Sequence, residues 1–398
     1  MKALGMCVVA GVVVAVVGGV APQRVKAAQV SSAAPILVDD DKVQCPTAQF
    51  TSIQQAINSA PAGSVIRVCP GTYVEQLTIN KTLRIEGENG AILIPSNMMG
   101  NGTDPASGEA IAAAILVENA DNVEIEGLII DGSNNGISGC APDLRGVEYQ
   151  NASGSVEHNA VRHFRLAASD AGCQSGEAIE IDNPSGANLN VRVGSNSVWD
   201  YQKNGITVND TGTTAEVVRN VVTGIGPTSG AAQNGVQMGF GATGSIRLNN
   251  ISGNVWSPCV STTNCSTNAA GILVFESNGV EIHKNVLETN QIGIFIGGDD
   301  SRVELNEVAD SPVLIGVAVV GNSDAVVRNI ISHADQAGVY IQGNDDRVRE
   351  NEITDAGIGV LKISGSTDTV IGGNLFFATP IPVQDPAPNR NMNSSPKR

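Results

Sequence analysis

Apolar and polar positions alternate with a period of two over much of this chain, and from Gly271 onward one short phrase is written five times. The phrases start at Gly271, Gly293, Gly316, Gly338 and Gly359, so successive starts lie 22, 23, 22 and 21 residues apart. Each holds a glycine, an apolar-x-apolar run, a polar turn, a second alternating run, an asparagine and a third short run. The asparagines are Asn285, Asn306, Asn329, Asn351 and Asn374. Alternation rich in Val, Ile and Thr predicts strands. Self-similarity at a fixed short period predicts a solenoid, in which each coil touches only its neighbours. Upstream, TSIQQAINSA (51–60) puts Ile53, Ala56, Ile57 and Ala60 on one helical face, and Pro61-Ala62-Gly63 stops it. A short helix there would cap the open edge of a strand solenoid. The run VIRVCPGTYVEQLTINKTLRIEGENGAILI then reads as three or four short strands broken by Pro70-Gly71 and Asn89-Gly90.

The ends and the composition narrow the class. Met1-Lys2, an uncharged run over 3–21 and Val25-Lys26-Ala27 read as a secretory signal peptide (1–28), with an uncleaved anchor as the alternative. Residues 29–47 are then an unstructured lead, 48–377 the solenoid domain, and 378–398 a Pro- and Asn-rich disordered tail. Forty-five glycines without a Gly-X-Y period exclude collagen. The net charge of −17 grows more negative once Lys2, Arg24 and Lys26 leave, which disfavours nucleic acid and anionic membranes as partners. An acidic polymer would need a local basic patch or a bridging cation. Cys7 leaves with the signal, and an even count of six cysteines in an exported chain favours disulfides over a metal site, for which no C-x-x-C exists. Gly239-Phe240-Gly241-Ala242-Thr243-Gly244 matches a dinucleotide fingerprint as a string, but a strand, SIRLNN, follows where a helix should open.

The stretch AINSAPAGSVIRVCPGTYVEQLTINKTLRIEGENG resembles the opening of right-handed parallel β-helix proteins of the pectate-lyase-like superfamily. The later phrases are similar to that family's generic repeats, and together the resemblance spans roughly 48–377. It implies an all-β, right-handed parallel β-helix of roughly ten to eleven coils, three strands per coil, with an asparagine ladder between the second and third strands. Aligned so, Gly127, Asn159, Asn196, Asn220 and Asn250 precede the five asparagines above, with the ladder starting one coil after Gly127. The segments between third and first strands are long at 131–145, 164–177, 223–234 and 252–270, which implies a wall of loops beside the first sheet. That register pairs Cys45 with Cys69, Cys140 with Cys173 and Cys259 with Cys265. The fold hosts lyases, hydrolases, esterases, epimerases and adhesins, so it does not name an activity. The paired-aspartate and Gly-His-Gly phrases of polygalacturonases are missing, as are the Gln and Asp phrases of pectin methylesterases.

With apolar residues inward, the first strands turn Glu148 and Gln150, Glu180 and Asp182, Thr207 and Asn209, Gln237, Leu273, Phe275, Phe295 and Tyr340 outward. Adjacent parallel strands lie about 4.8 Å apart, so Glu148 should stack on Glu180, with Asp182 on the same face. Carboxylates that close need a cation, a shared proton or a basic partner. Three oxygen donors on rigid strands (Glu148, Glu180, Asp182) suit Ca²⁺, and a carboxylate pair suits a retaining glycosidase. Arg145, Arg165, His163 and Lys203 stand on or beside the wall as counter-charges. For β-elimination on a uronate polymer, Lys203 or His163 would be the base beside Glu180. Arg145, Arg165, Trp199, Tyr201 and Trp256 would hold the sugar. The plainer reading is that the acids solvate an exposed sheet face and the aromatics pack loops against it. Two functions remain open: a secreted or periplasmic monomer that binds, and cleaves, a polysaccharide; or a non-catalytic surface adhesin.

Overall fold

The computed structural model describes residues 34–104, 107–258, 268–310 and 314–385. The signal-peptide segment, Cys259, Cys265 and residues 386–398 lie outside them. Among the described residues no helix is long and apolar enough to cross a membrane.

The expected right-handed parallel β-helix is present. The strands form three sheets of 13, 12 and 13 strands, and every neighbouring pair along these orders is parallel. Each coil contributes one strand to the first sheet (Ala270–Phe275, Ile292–Gly297), one to the second (Glu281–His283, Arg302–Glu304) and one to the third (Val286–Glu288, Glu307–Ala309). Register between coils is in step, so like positions stack. Ile272, Ile294, Val317, Val339 and Val360 form one fully buried inward column, and Leu287, Val308, Ile331 and Ile353 another. Burying each such side chain is worth about 1.5–3 kcal/mol, and only the next coil supplies the cover.

The repeated glycine of the five phrases has a steric cause. A Cβ on Gly293, Gly316 or Gly338 would lie 2.5, 2.6 or 2.9 Å from the carbonyl oxygen of the next coil's glycine. No side chain fits where these backbones stack.

The asparagine ladder runs through Asn159, Asn196, Asn220, Asn249, Asn285, Asn306, Asn329, Asn351 and Asn374. Each backbone N–H donates to the Oδ1 of the next rung at 2.9–3.0 Å. Two rungs differ from the sequence alignment. Asn249, 1% exposed, is the rung and Asn250 faces outward, paired with Val286. In the coil before Asn159 the position belongs to Leu128, whose N–H donates to Asn159 Oδ1, rather than to Gly127.

The solenoid is longer than ten to eleven coils at both ends. Ile36–Val38, inside the supposed lead, pairs with Ser64–Val68, and Ile381–Gln384, inside the supposed disordered tail, pairs with Ile358–Lys362. An alternating segment next to an open sheet edge gains a ladder of hydrogen bonds by joining it. The cap helix is Ile53–Ser59, with Ile53, Ala56 and Ile57 buried; Ser52 caps it and the Glu75 carboxylate accepts from the Ile53 and Gln54 N–H groups. The disulfides Cys45–Cys69 and Cys140–Cys173 are formed.

A second ladder lines the turns between first and second strands. Ser301 N–H donates to Asp324 Oδ1 (2.7 Å) and Asp324 N–H to Asp346 Oδ1 (3.0 Å). Asp346 is 1% exposed and not the solvent-facing turn residue its Asp-Asp sequence suggests. The Oδ2 atoms of both acids are buried without a partner. Burial pushes Asp324 up to about 8 and Asp346 to about 6; their backbone hydrogen bonds oppose this, and the neighbouring carboxylates of Asp299, Asp300 and Asp345 add to it. Both therefore hold protons when folded that they release near pH 4 when unfolded, at about the ordinary Asp value. Their contribution is fully present below about pH 4 and is lost as pH rises through about 6 and then 8. We expect Asp324→Asn to raise the melting temperature at about pH 9 and to flatten its fall from about pH 5. An unchanged pH slope in that variant would show that this carboxyl is ionised in the folded chain.

Candidate functional site

The first-sheet acids converge as their spacing requires. Glu148 pairs with Glu180 in register, and Gln150 with Asp182. The ligand atoms of Glu148, Glu180 and Asp182 lie within 4.8 Å of one another, so the set could hold a metal ion. The cation at their centre, however, is Arg145. Its Nη1 contacts Glu148 Oε2 and Asp182 Oδ2 at 3.1 Å and also Glu180, while Nη2 contacts Asp104 (2.7 Å) and Asp143 (3.0 Å). Arg145 is 4% exposed and Glu148 0%. The strand Gly102–Thr103 and Asp104 fold over this end of the sheet, with Gln150 Nε2 donating to Thr103 O at 2.7 Å. Burial raises Glu148 and Glu180 well above the usual carboxylate range against the pull of Arg145, and lifts Glu177 to about 8. Burial alone would lower the guanidinium's pKa, but Glu180, Glu148, Glu177 and Asp182 hold it raised. A calcium ion at this centre would have to displace the guanidinium, so no chemical step is routed through one.

Arg145 is thus a structural clamp and does not face a sugar. Glu180, expected beside a base, sits inside the clamp, 5% exposed. Lys203 Nζ donates to the Ala232 carbonyl at 3.1 Å, and burial lowers its pKa against the attraction of Glu177. Tyr201 is 0% exposed and its hydroxyl donates to Asn254 Oδ1 at 2.6 Å, so it packs the wall and does not touch substrate. Trp256 packs against a cluster that includes Ile292 and Ile315, and its Nε1 donates to the Gly230 carbonyl at 3.2 Å.

The remaining sequence-named residues meet elsewhere, at the C-terminal ends of neighbouring strands of the third sheet. Register aligns Asp131, Arg162 and Trp199 across three coils. The next residues, His163 (φ 61°) and Asp200 (φ 56°), take left-handed turns that His and Asp tolerate better than most. Asp131 is 4% exposed. Its carboxylate accepts from His163 Nδ1 (2.9 Å), Arg162 Nε (2.7 Å) and Ser133 N (3.0 Å). Burial works to raise its pKa, but these bonds pull it down to about 2. The Asp131 carboxylate holds the Nδ1 edge of the His163 ring, which turns Nε2 toward Asp200. Nε2 lies 3.9 Å from Asp200 Oδ2, and Arg165 Nη1 contacts Asp200 Oδ1 at 2.9 Å. Ser133, His163, Arg165, Leu166 and Asp200 line an open pocket of about 380 Å³. Trp199 stands beside it, with Arg162 over its ring at 5.6 Å and the His163 ring edge-on at 6.5 Å. A carboxylate-held imidazole beside an arginine in an open pocket can accept a proton next to a bound anion. Sequence reasoning missed Asp131 and Asp200; equal placement at the ends of successive third strands was the available signal.

A family model described as "Periplasmic copper-binding protein (NosD)" matches residues 242–397. Among the described residues, none of the three groups able to hold a metal lies within that stretch. A segment of 90 residues is 38% identical to a cell surface glycoprotein of Methanothermus fervidus, covering 22% of this chain and 13% of that protein's length. Similar solved structures include the GH136 lacto-N-biosidase of Eubacterium ramulus (TM-score 0.59, 11% identity, 86% of this chain and 67% of that one). The A-module of the mannuronan C-5 epimerase AlgE4 of Azotobacter vinelandii follows (0.51, 13%, 84% and 92%), with PfbA, a surface adhesin of Streptococcus pneumoniae (0.50, 13%, 86% and 92%). At these identities they show the shared fold.

The clamp makes a prediction of its own. Arg145→Met leaves buried carboxylates without their cation and should cost about 3–5 kcal/mol in urea unfolding. Arg145→Lys should not restore stability, because one ammonium cannot span the fork's partners. Calcium should leave the wild-type melting temperature unchanged; a calcium-dependent rise would show the ion entering the centre.

Proposed function

We propose that this chain, a right-handed parallel β-helix protein of the pectate-lyase-like kind, acts outside the cytoplasm on an acidic polysaccharide at the His163 pocket. The observation that carries the reading is the Asp131–His163 pair, whose imidazole lines an open pocket with Arg165 and Asp200. On a uronate chain, Arg165 faces the sugar carboxylate and neutralises it, with Asp200 holding the guanidinium in place. His163 Nε2 takes the proton from C5. The electron pair forms the C4–C5 double bond and expels O4, which regains the proton from the imidazolium. Trp199, partly exposed beside the pocket, flanks the bound chain. Relatives whose names include polysaccharide-acting enzymes, and a family described as periplasmic, support the substrate class and the compartment.

The second reading, a non-catalytic surface adhesin, is favoured by one observation. The carboxylates of Glu148, Glu180 and Asp182 on the first sheet are closed by Arg145 and Asp104.

The test is incubation of the full chain with pectate, alginate and glycosaminoglycans, following the ultraviolet absorbance of unsaturated uronate. Activity should fall about 10²–10⁴-fold in His163→Ala, with Asp131→Asn losing much of it at unchanged melting temperature. Binding without any rise in absorbance would transfer the protein to the adhesin reading. Neither binding nor cleavage of any acidic polymer would overturn the proposal.

A further inference from the structure

A concave surface lies on the second sheet, away from both clusters. A cavity of about 650 Å³ is lined by Asn190, Arg192, Thr214, Glu216, Thr243 and Ser245 among others, and ends at Glu281. A second, of about 280 Å³, begins at the same Glu281 and continues past His283, Arg302 and Glu304. The first cavity is a trough that crosses five consecutive second strands, from Gly154–Glu157 to Glu281–His283, about 19 Å at the spacing of parallel strands, and the second lies on the other side of the Glu281–Arg302 row.

Register explains the shape. The inward row Gly154, Val191, Ala215 and Gly244 forms a floor with little or no side chain exposed. Gly154 and Gly244 bend there at φ 138° and 130°, where a Cβ would strike the neighbouring coil's carbonyl at 1.9 and 2.0 Å. Two outward rows rise beside that floor: Asn190, Thr214 and Thr243 on one side, and Arg192, Glu216, Ser245, Glu281 and Arg302 on the other.

We propose that this trough is a second carbohydrate site, which binds an extended neutral glycan along the solenoid axis. The inference rests on the polysaccharide reading but not on the His163 pocket. Three features select the ligand. The rims offer amides, hydroxyls and charges, and lack the buried aromatic or aliphatic anchors on which protein partners dock. The row carries Glu216 and Glu281 on either side of Ser245, with Arg192 already paired to Glu216, so a uniformly anionic chain would meet two carboxylates at its middle. Asn190 and Ser245 make no side-chain hydrogen bond to the described residues, whereas Arg192 is already paired with Glu157 and Glu216. The rungs repeat once per coil, so a chain of sugars, each repeating its hydroxyls, can bond to successive coils in the same way. With no aromatic platform the affinity comes from many weak contacts, and short oligosaccharides should bind far less tightly than long ones.

The experiment is affinity electrophoresis of the full chain in gels containing a neutral β-glucan, xylan or mannan, with pectate and alginate gels in parallel. At least one neutral polymer should retard the wild type. Asn190→Ala/Ser245→Ala should weaken retardation at least five-fold, and Thr214→Arg, which fills the trough from an exposed strand position, should abolish it at unchanged melting temperature. His163→Ala should leave it intact. The proposal is overturned when no neutral glycan retards the wild type, when retardation survives Thr214→Arg, or when it is lost in His163→Ala. Only that last result assigns the sugar to the pocket, and retardation by pectate or alginate alone would leave the pocket reading standing without the trough.

Discussion

A coil of about 22 residues cannot bury its own apolar side chains, and each of its strands carries unpaired N–H and C=O groups on both edges. Stacking one coil on the next in register satisfies both needs at once. The apolar columns of Ile272 to Val360 and Leu287 to Ile353, the backbone ladders of three sheets and the asparagine rungs are three expressions of that contact. The glycine column from Gly271 to Gly359 states its steric limit, because the coils approach too closely there for any Cβ.

In-register stacking places like beside like, and that rule treats side chains unequally. Isoleucine on isoleucine is favourable, and asparagine on asparagine is better still, since each amide donates and accepts along the axis. Carboxylate on carboxylate is costly. The chain meets that cost in three ways. Around Glu148, Glu180 and Asp182 it inserts one guanidinium and folds Asp104 down on it. At Asp324 and Asp346 it buries the acids, which raises their pKa to about 8 and about 6. On the second sheet it interleaves Arg192 and Arg247 with Glu216, all three half-exposed, where such pairs contribute little stability.

The fold was legible because repetition amplifies a weak strand signal over many coils, and the outward row from Glu148 to Tyr340 came out as counted. The errors cluster where counting alone must choose between neighbours. Asn249 and Asn250 are adjacent, and only the pairing of Asn250 with Val286 decides which of them is the rung. The cap helix could be placed from one apolar face, but the edge strands Ile36–Val38 and Ile381–Gln384 belong to no full phrase. The candidate site was half legible. His163, Arg165 and Trp199 were named, yet grouped with Arg145 and Glu180, because sequence showed that all five border the wall and not which sheet each faces. Tyr201 shows the same limit: an aromatic on a wall loop reads alike whether its ring meets solvent or, as here, Asn254.

That limit also indicates where chemistry can reside. A residue repeated in every coil is held there by stacking, and altering it disturbs both neighbours. A group that acts singly must break the repeat without breaking the stack, and the inserted loops and left-handed turn residues do so. Along the turn that follows each third strand, Thr289, Asp310, His333 and Asp355 are such residues in the regular coils. His333 there also contacts two acids, Asp310 and Asp355, but 58% of its side chain is exposed, so neither contact fixes it. His163 occupies the same turn position six coils before His333. The insertion at 131–145 sets Asp131 at 4% exposure against it, and the loop at 164–177 brings Arg165 to the open side. The same turn geometry thus yields an exposed histidine in a plain coil and a carboxylate-held imidazole in a coil with insertions. The difference lies in the carboxylate, which is buried and held by three hydrogen bonds in one case and hydrated in the other.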